Sequence, residues 1–306
     1  APHYSHTPLT IDAFAAGLHV LVEKPIAVHK ADALKMIEAH KKHPKLRFAV
    51  MFQMRTDSAY KKIKDMLDNG ELGKIFRVNW TITNWFRTQA YYDSGEWRAT
   101  WKGEGGGVLM NQAPHNMDIF QWFFGMPSKI RAFCSFGKYH DIEVEDDVTA
   151  YLEYPDGKTA VLTVSTGEGP GTNRLEICAD RGKLVIENDK IIFTRTELPV
   201  SKFCKTTKSK YDLPAVWNCE IPSGNDPAHH RKIIQNFVDS IIDGTPLIVK
   251  AEEGLNSLEL ANAMLMSSIE NKTIELPLDS AKYWKILEGL IKNSPQKTTQ
   301  RKKSDG

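Results

Sequence analysis

The sequence predicts two successive folds, a doubly wound α/β segment followed by an α+β domain. Helices and short buried strands alternate over residues 1–52, strands separated by turn residues dominate residues 75–194, and helices close the chain. The 306 residues supply about two domains at roughly 150 residues per domain. A composition of 41% hydrophobic and 25% charged residues is typical of a globular protein and excludes disorder, collagen and coiled coil.

The first 52 residues show an αβαβ order. The pattern predicts a helix over 7–17, a strand over 19–22, a helix over 30–42 and a strand over 47–52. In a doubly wound sheet every helix connects two parallel strands, yet no strand precedes the first helix here. Two parallel strands alone are also too few for a stable layer. We therefore expect residues 1–52 to be the C-terminal remnant of a larger doubly wound domain whose front is absent from this chain.

The second predicted domain, of the α+β class, covers residues 53–293. After a helix over 57–69, strands are expected over 75–83, 130–137, 147–154, 159–166, 173–178, 183–187 and 190–194. The turns Pro155-Asp156-Gly157 and Asn188-Asp189 join neighbouring strands, which indicates an antiparallel meander. Residues 195–227 show no regular pattern, and helices follow over 229–243, 251–270 and 280–292, the last expected to pack back on the first domain. Residues 294–306 are polar and basic and are predicted to form a disordered tail.

The net charge and the cysteines restrict the class of partner. Forty Lys and Arg against 38 Asp and Glu leave a net charge of +2, too small to attract nucleic acid or an anionic membrane. The four cysteines form no CxxC pair, so neither a disulfide framework nor a zinc site is expected, and a reducing, cytoplasmic setting follows. The sequence shows no signal peptide and no apolar stretch of about 18 residues. These features favour a small-molecule partner, with no nucleic acid and no membrane.

The tripeptide Glu23-Lys24-Pro25 ends the first predicted strand. Ligands of doubly wound sheets bind beyond the carboxyl ends of the strands, so Lys24 stands where a lysine can contact a ligand. The alternative is a Glu–Lys pair on the surface before a turn proline, since most lysines are exposed. The tripeptide alone does not separate these two interpretations.

A second candidate group follows the triplet Gly105-Gly106-Gly107. Asn111, His115, Asp118 and Trp122 have the spacing that would bring them to one face of a helix. A neutral histidine can accept a proton from an alcohol, which is a common reason to place one beside a carbohydrate hydroxyl. The alternative is a solvated polar face on a surface helix. No metal is expected, because the stripe offers two strong ligands and a catalytic zinc uses three.

Aromatic and polar side chains are interleaved over residues 84–102. Aromatic rings stack on the C–H faces of a polyol, and neighbouring polar side chains bond its hydroxyls. The candidate substrate-binding residues are Trp85, Arg87, Tyr91, Tyr92 and Trp97, together with Asn111 and Asp118. A platform for single-stranded nucleic acid uses similar residues, but the net charge disfavours it. A loop held to the core by its aromatic rings is the other alternative.

These residues together resemble the glucose-fructose oxidoreductase / inositol dehydrogenase / MocA family of NAD(P)-dependent oxidoreductases. The resemblance covers nearly all of residues 1–290 and follows the segments 2–6, 17–25, 105–118, 236–239 and 257–260. It implies a Rossmann domain, whose GxGxxG turn is missing from this sequence, followed by a domain with a large open-faced antiparallel sheet. The exposed face of such a sheet commonly forms a subunit interface, so a homo-oligomer, a dimer or tetramer, is expected.

The resemblance also implies roles for individual residues. Lys24 matches the lysine that lies by the nicotinamide and the reacting hydroxyl, and His115 matches the histidine of acid–base catalysis. Asn111 stands where the family usually has an aspartate, so it can orient His115 or bind a hydroxyl but supplies no charge. The implied cofactor is NAD or NADP. Its implied contacts are Pro2 and His6 near the adenosine, Glu23, Lys24 and Pro25 near the nicotinamide, and also Gln53 and Arg98.

The leading hypothesis is an oxidoreductase that transfers a hydride between NAD(P) and a secondary hydroxyl of a sugar, glycoside or cyclitol. Lys24 would polarise the hydroxyl, His115 would remove its proton and Asn111 would position the alcohol. One alternative is an NAD-dependent glycosidase of the same family that oxidises its sugar transiently. Another is a non-catalytic module for sugar binding and oligomerisation. The choice between NAD and NADP is set by the ribose-binding segment, which the sequence lacks.

Overall fold

The computed structural model describes residues 1–295, which form two β-sheets and the helices around them. The helices are α1 (His6–Ala15), α2 (Lys30–Lys41), α3 (Ser58–Asp68), α4 (Gln89–Asp93), α5 (Pro114–Phe124), α6 (Val200–Thr206), α7 (His230–Ile242), α8 (Ala251–Ile269) and α9 (Ser280–Lys292). The strands are β1 (Val20–Val22), β2 (Phe48–Val50), β3 (Ile75–Ile82), β4 (Lys129–Phe136), β5 (Glu145–Glu153), β6 (Thr159–Ser165), β7 (Asn173–Ala179), β8 (Gly182–Glu187), β9 (Lys190–Thr196), β10 (Val216–Ile221) and β11 (Ile274–Glu275). The predicted elements are present, with ends that differ by a few residues.

The small sheet pairs β1 with β2 in parallel, as the αβαβ order predicts. Val20 lies opposite Phe48 and Val22 opposite Val50. Phe14 of α1 packs edge-on against Phe48 with 5.0 Å between the ring centroids. Both strands are short and apolar because parallel strands are covered on their faces by helices. Within residues 1–295, the second edge of β1 pairs with no strand.

The large sheet has nine strands in the order β10-β9-β8-β7-β3-β6-β5-β4-β11. The predicted antiparallel meander is corrected at one place, where β3 pairs with β6 in parallel. β3 lies between β6 and β7, so these two consecutive strands are not neighbours. In β5, Val148, Ala150 and Leu152 are buried while Thr149 and Tyr151 face outward. This alternation gives the sheet one covered face and one open face.

The stretch predicted as irregular, 195–227, contains a helix and a strand. α6 and β10 both lie in it, and β10 pairs with β9 from Val216 opposite Thr196 to Ile221 opposite Ile191. β10 is mostly exposed, and therefore lacks the buried alternation by which a strand is recognised in sequence. The predicted tail, 294–306, lies outside the described residues except for its first two. None of the helices within residues 1–295 is long and apolar enough to cross a membrane.

α8 connects the two sheets. Its Ser267 and Ser268 hydroxyls accept hydrogen bonds from the backbone N–H groups of Ala132 and Cys134 on β4, each at 2.9 Å. At its other end Gly254 packs closely on Val50 of β2, where an added Cβ would lie 2.9 Å from a side-chain methyl. The C-terminal helix α9 reaches the first segment as well, because Trp284 stacks on His29 at 4.3 Å between ring centroids.

Candidate active site

Lys24 follows the carboxyl end of β1 and reaches the segment that precedes α5. Its Nζ donates a hydrogen bond to the backbone oxygen of Asn111 at 2.7 Å. Burial lowers the pKa of Lys24, while the carboxylates of Glu23 and Glu104 act in the opposite direction. The peptide bond between Lys24 and Pro25 is cis. The tripeptide 23–25 and the segment that contains Asn111, which are far apart in sequence, therefore meet at Lys24.

The triplet Gly105-Gly106-Gly107 allows the chain to run against β5. A Cβ on Gly107 would lie 1.9 Å from the backbone oxygen of Glu145. The Glu145 carboxylate accepts hydrogen bonds from the N–H groups of Gly107 at 2.8 Å and Leu109 at 3.0 Å. Burial raises the pKa of Glu145 to about 7, against the effect of these backbone donors. The large sheet thus fixes the path of the chain into the site.

The predicted one-faced stripe of four residues is corrected at its start. α5 begins at Pro114, so Asn111 lies in the preceding turn and not on the helix. Pro114 takes the first helical position because its ring fixes φ and it has no N–H to leave unpaired. The Asn111 Nδ2 donates a hydrogen bond to the carboxylate of Glu104. The turn still brings Asn111 and His115 to the same site as Lys24.

His115 is buried in the first turn of α5, with 7% of its surface exposed. Its Nε2 lies 3.2 Å from Nε2 of Gln53, and Phe52 packs edge-on against its ring. Its Nδ1 has no hydrogen-bond partner within residues 1–295. Burial lowers the pKa of His115 to about 3, helped by the positive charges of Lys24 and His230. The imidazole is therefore neutral at physiological pH and can accept a proton.

The prediction that Asp118 binds substrate is wrong. Its side chain is 0% exposed, and Arg55 donates to both carboxylate oxygens at 2.8 and 2.7 Å. Arg55 also pairs with Glu253 of α8, and Gln121 donates to Asp118 at 3.1 Å. This buried network joins α5 to α8 below the site, so Asp118 acts in packing and not in substrate contact.

The aromatic segment is divided between surface and core. Trp97 is 43% exposed, and Tyr91 is half-buried beneath the guanidinium of Arg87, 5.1 Å from its ring centroid. Trp85 donates a hydrogen bond from its indole to Asn116 of α5 at 3.2 Å. Tyr92 is 3% exposed and its hydroxyl donates to Thr166 at 2.8 Å. The prediction of substrate contact is therefore wrong for Tyr92, for which the alternative of a core-held ring is correct.

The candidate cofactor residues are not all brought together. Pro2 is exposed, and both ring nitrogens of His6 lie against backbone oxygens, at 2.8 Å from Pro25 and 3.3 Å from Ala1. His6 thus supports the loop that carries Lys24, and its contact with the cofactor stays a prediction. Arg98 lies over Tyr91 and Trp97, 4.5 and 4.3 Å from their ring centroids. Glu23 is exposed beside Lys24, and Gln53 contacts His115.

The residues at the end of β1 fit the nicotinamide half of a dinucleotide. Gln53 Oε1 and His115 Nδ1 are buried and have no partner within residues 1–295, so polar groups remain available to a ligand. Lys24 and Pro25 stand beyond the carboxyl end of a parallel strand, the usual position of such a ligand. These residues concern the nicotinamide half of the cofactor.

A residue that sequence reasoning missed is Glu104, which is 2% exposed. It bonds Asn111 and accepts a hydrogen bond from the backbone N–H of Ala99 at 2.6 Å. The signal in the sequence is the position of Glu104 directly before the glycine triplet. The chain turns sharply there, and the turn buries the carboxylate. A second missed contact is that of Gln53 with His115, which depends on the fold and has no sequence signal.

The side chains of Lys24, Asn111 and His115 meet at this site. Within residues 1–295, no group of three His, Cys, Asp or Glu side chains is arranged to hold a metal ion. A surface cavity of about 630 Å³ lies along α7 and is lined by His229, Arg231, Lys232, Gln235, Asn236 and Asp239.

The structure joins a short parallel α/β segment, residues 1–52, to a domain built on one large sheet. Residues 1–52 match the family model described as an oxidoreductase family with an NAD-binding Rossmann fold. Residues 60–185 match the GFO/IDH/MocA C-terminal domain. The chain belongs to the GFO/IDH/MocA family of oxidoreductases. This confirms the predicted family, the Rossmann-type start and NAD or NADP as the cofactor of the family.

Similar proteins agree in fold over most of the chain. The chain is 24% identical to an uncharacterised oxidoreductase of Synechocystis over 62% of this chain, and spans about half, 54%, of that relative. It is 22% identical to myo-inositol 2-dehydrogenase of Thermotoga maritima, covering 89% of this chain and 77% of that protein. The WlbA dehydrogenase of Bordetella pertussis, solved with NADH and UDP-GlcNAcA, superposes with a TM-score of 0.74 at 26% identity. That superposition covers 91% of this chain and 78% of WlbA.

Proposed function

We propose that this chain oxidises a secondary hydroxyl of a sugar, glycoside or cyclitol, with NAD or NADP as the oxidant. The observation that carries the proposal is the meeting of Lys24, Asn111 and His115, with the Lys24 Nζ 2.7 Å from the Asn111 backbone oxygen. A cationic donor beside a neutral imidazole is what removal of a proton from an alcohol requires. The myo-inositol dehydrogenase and WlbA relatives support the substrate class.

The side chains divide the proton chemistry between them. The Lys24 ammonium donates a hydrogen bond to the substrate oxygen and stabilises negative charge that develops on it. His115 accepts the hydroxyl proton at a ring nitrogen, and its lowered pKa keeps the imidazole neutral beforehand. The Asn111 side chain positions the alcohol. When NAD or NADP is bound, its nicotinamide ring supplies the hydride acceptor.

The exposed part of the aromatic segment supports polyol recognition. Trp97 and Tyr91 present ring surface, and the guanidinium groups of Arg87 and Arg98 lie against those rings. Such a surface combines stacking on C–H faces with donors for hydroxyl groups.

The open face of the large sheet exposes apolar side chains. Phe133 is 61% exposed and Tyr151 is 43% exposed. We propose this face as the interface of a homo-oligomer, because an apolar patch of this kind favours contact with a partner.

The proposal is tested by assaying the protein with NAD⁺ or NADP⁺ against myo-inositol, free sugars and glycosides. We expect reduced cofactor with at least one secondary alcohol. Lys24→Ala and His115→Ala are each expected to lower kcat by about 100-fold or more, since general acid–base catalysis contributes on that scale. Lys35→Ala is the matched control, because Lys35 is 65% exposed and pairs with Asp32 at the surface of α2.

Two outcomes would contradict the assignment. If no cyclitol, sugar or glycoside reduces either cofactor, the chain does not catalyse this reaction. If an aryl glycoside loses its aglycone without net formation of reduced cofactor, the glycosidase alternative replaces the dehydrogenase. Unchanged turnover in His115→Ala would remove this residue from the proton step.

A further inference from the structure

The Glu104 carboxylate occupies a position that the proposed mechanism does not use. It is buried beside the site, and its contacts lead to residues of that site or of the adjoining loop. One carboxylate oxygen accepts from the Ala99 N–H at 2.6 Å, and the other accepts from the Asn111 Nδ2. Its backbone oxygen lies 3.1 Å from Nδ1 of His3. Such a group fixes its neighbours because both of its oxygens are committed.

The contact with Asn111 decides which atom of that side chain is free. A carboxylate accepts hydrogen bonds and cannot donate them, so it selects the amide nitrogen of Asn111 and not the oxygen. The Asn111 Oδ1 then has no hydrogen-bond partner within residues 1–295, while the residue remains half-buried. The backbone oxygen of the same residue holds the Lys24 ammonium. Asn111 is thereby turned into an acceptor for a ligand hydroxyl.

The carboxylate also supplies charge that Asn111 lacks. Glu104 raises the pKa of Lys24 against the lowering effect of burial, and Lys24 in turn lowers that of Glu104. Burial itself raises the pKa of Glu104, and its bonds to Ala99 and Asn111 oppose this. The charged or titratable groups that act on Lys24 or feel its charge are Glu23, Glu104, Arg87, His3 and His115.

The loop around Glu104 is built to hold this arrangement. Ala99 is fully buried and has a φ of 52°, a left-handed backbone conformation that residues other than glycine rarely adopt. Its N–H is the one that Glu104 binds, and the Glu104 N–H returns to the Thr100 backbone oxygen at 2.9 Å. A Cβ on Gly105, the next residue, would lie 2.1 Å from a methyl of Val28. The carboxylate cannot leave this position without moving the loop.

We propose that Glu104 is a positioning residue of the site, which aims the Oδ1 of Asn111 at the substrate hydroxyl and sets a negative charge beside the residue that binds the Lys24 ammonium. The inference rests on the proposed function, since it specifies how that site is held. It predicts that the site works with the negative charge at either position 104 or position 111, provided that the other of these two residues carries an amide.

The test is a charge exchange between Glu104 and Asn111. Glu104→Gln removes the charge and sets an amide nitrogen against the Ala99 N–H or the Asn111 Nδ2, two donors facing each other. Asn111→Asp sets two carboxylates in contact, which must share a proton. In the double variant, the introduced glutamine accepts from Ala99 through its oxygen and donates to the introduced aspartate through its nitrogen. We expect each single variant to lose about tenfold or more in kcat and the double variant to recover most of it.

A readout that does not depend on turnover is the pH dependence of Lys24 acylation by acetic anhydride, followed by peptide mass spectrometry. Glu104→Gln is expected to shift the midpoint for Lys24 down by about one pH unit, and the double variant to restore it. Acylation of the exposed Lys35 serves as the internal control. Glu143→Gln is the matched variant, because Glu143 also accepts a backbone N–H, that of Trp101 at 2.7 Å, but does not contact Asn111.

The outcomes separate this inference from the proposed function. A midpoint that moves in Glu104→Gln and returns in the double variant supports the positioning role, even if no polyol is oxidised. An unchanged midpoint, or recovery that is absent from both kcat and acylation, overturns it, even if the wild-type protein is an active dehydrogenase. If Glu104→Gln does not fold, hydrogen exchange of the Asn111 side-chain NH₂ group is measured in the wild-type protein instead. Slow exchange supports the hydrogen bond to Glu104, and fast exchange overturns it.

Discussion

Both sheets of this molecule contribute residues to one site, but the segments that carry these residues are held by very different numbers of paired strands. Lys24 follows β1, a strand of three residues whose only strand partner within residues 1–295 is β2. Asn111 and His115 follow a segment that is bonded through Glu145 to the large sheet, in which β5 pairs with strands on both sides. Lys24 is therefore attached to the less supported half of the site.

The small sheet of this site is held mainly by contacts with the rest of the molecule. The Lys24 bond to the Asn111 backbone oxygen ties the weaker element to the stronger one. His6 adds a second tie, because its Nδ1 lies 2.8 Å from the oxygen of Pro25. The small sheet is thus held by the large-sheet domain and by α8 more than by its own ladder. Local stability is expected to follow this difference, since it depends on the number of paired and buried backbone groups.

Hydrogen exchange should show the largest contrast between the two sheets. In β1 the Val20 N–H donates to Arg47, so the Leu21 N–H points to the unpaired edge. We expect the Leu21 amide to exchange at least about 1,000-fold faster than that of Ala150, which lies in the middle of β5. Val22, whose amide faces β2, is the internal control and should be slower than Leu21. Equal protection of Leu21 and Ala150 would show that another part of the protein covers this edge.

Gly107→Ala disturbs the contact between the large sheet and the segment that leads to Asn111 and His115. Its Cβ would lie 1.9 Å from the Glu145 backbone oxygen, and the large sheet cannot move to make room. We expect a loss of about 3 kcal/mol in the free energy of unfolding, measured by urea titration. The matched control is Gly289→Ala in α9, where nothing lies within 4 Å of the added Cβ and a gain of about 0.5–1 kcal/mol is expected. A small cost at Gly107 would mean that the segment is not pressed against β5.

Sequence patterning predicts the elements well because they obey simple periodicities. Strands such as β5 and β6 alternate in burial, and some helices have a side-chain cap, such as Asp57 at the start of α3, which accepts from Ala59 at 2.9 Å. The parallel pairing of β3 with β6 was missed because strand order depends on long-range packing, which turn residues between neighbours do not encode. β10 was missed because its exposed side chains hide the alternation.

The site was predicted less completely than the fold, for a related reason. Lys24, Asn111 and His115 carry recognisable motifs, and the structure brings them together. Asp118 and Tyr92 have the same residue types as ligand-binding groups, but burial and partners such as Arg55 and Thr166 commit them to the core. Glu104 stands directly before the glycine triplet in the sequence, but its contact with Asn111 depends on the fold.

Tyr92→Phe gives the smallest expected effect and tests the division of the aromatic segment between core and surface. It removes the hydrogen bond to Thr166, whose side chain is fully buried, and should lower the free energy of unfolding by about 1 kcal/mol. Because Tyr92 is not accessible to substrate, KM should stay at the wild-type value. The matched variant is Tyr91→Phe, which removes the hydroxyl that accepts from Arg98 at 2.9 Å and should raise KM with little effect on stability. If KM rises in Tyr92→Phe and not in Tyr91→Phe, Tyr92 contacts the substrate after all. Loss of the buried hydrogen bond to Thr166 does not by itself weaken substrate contacts made by the ring of Tyr91.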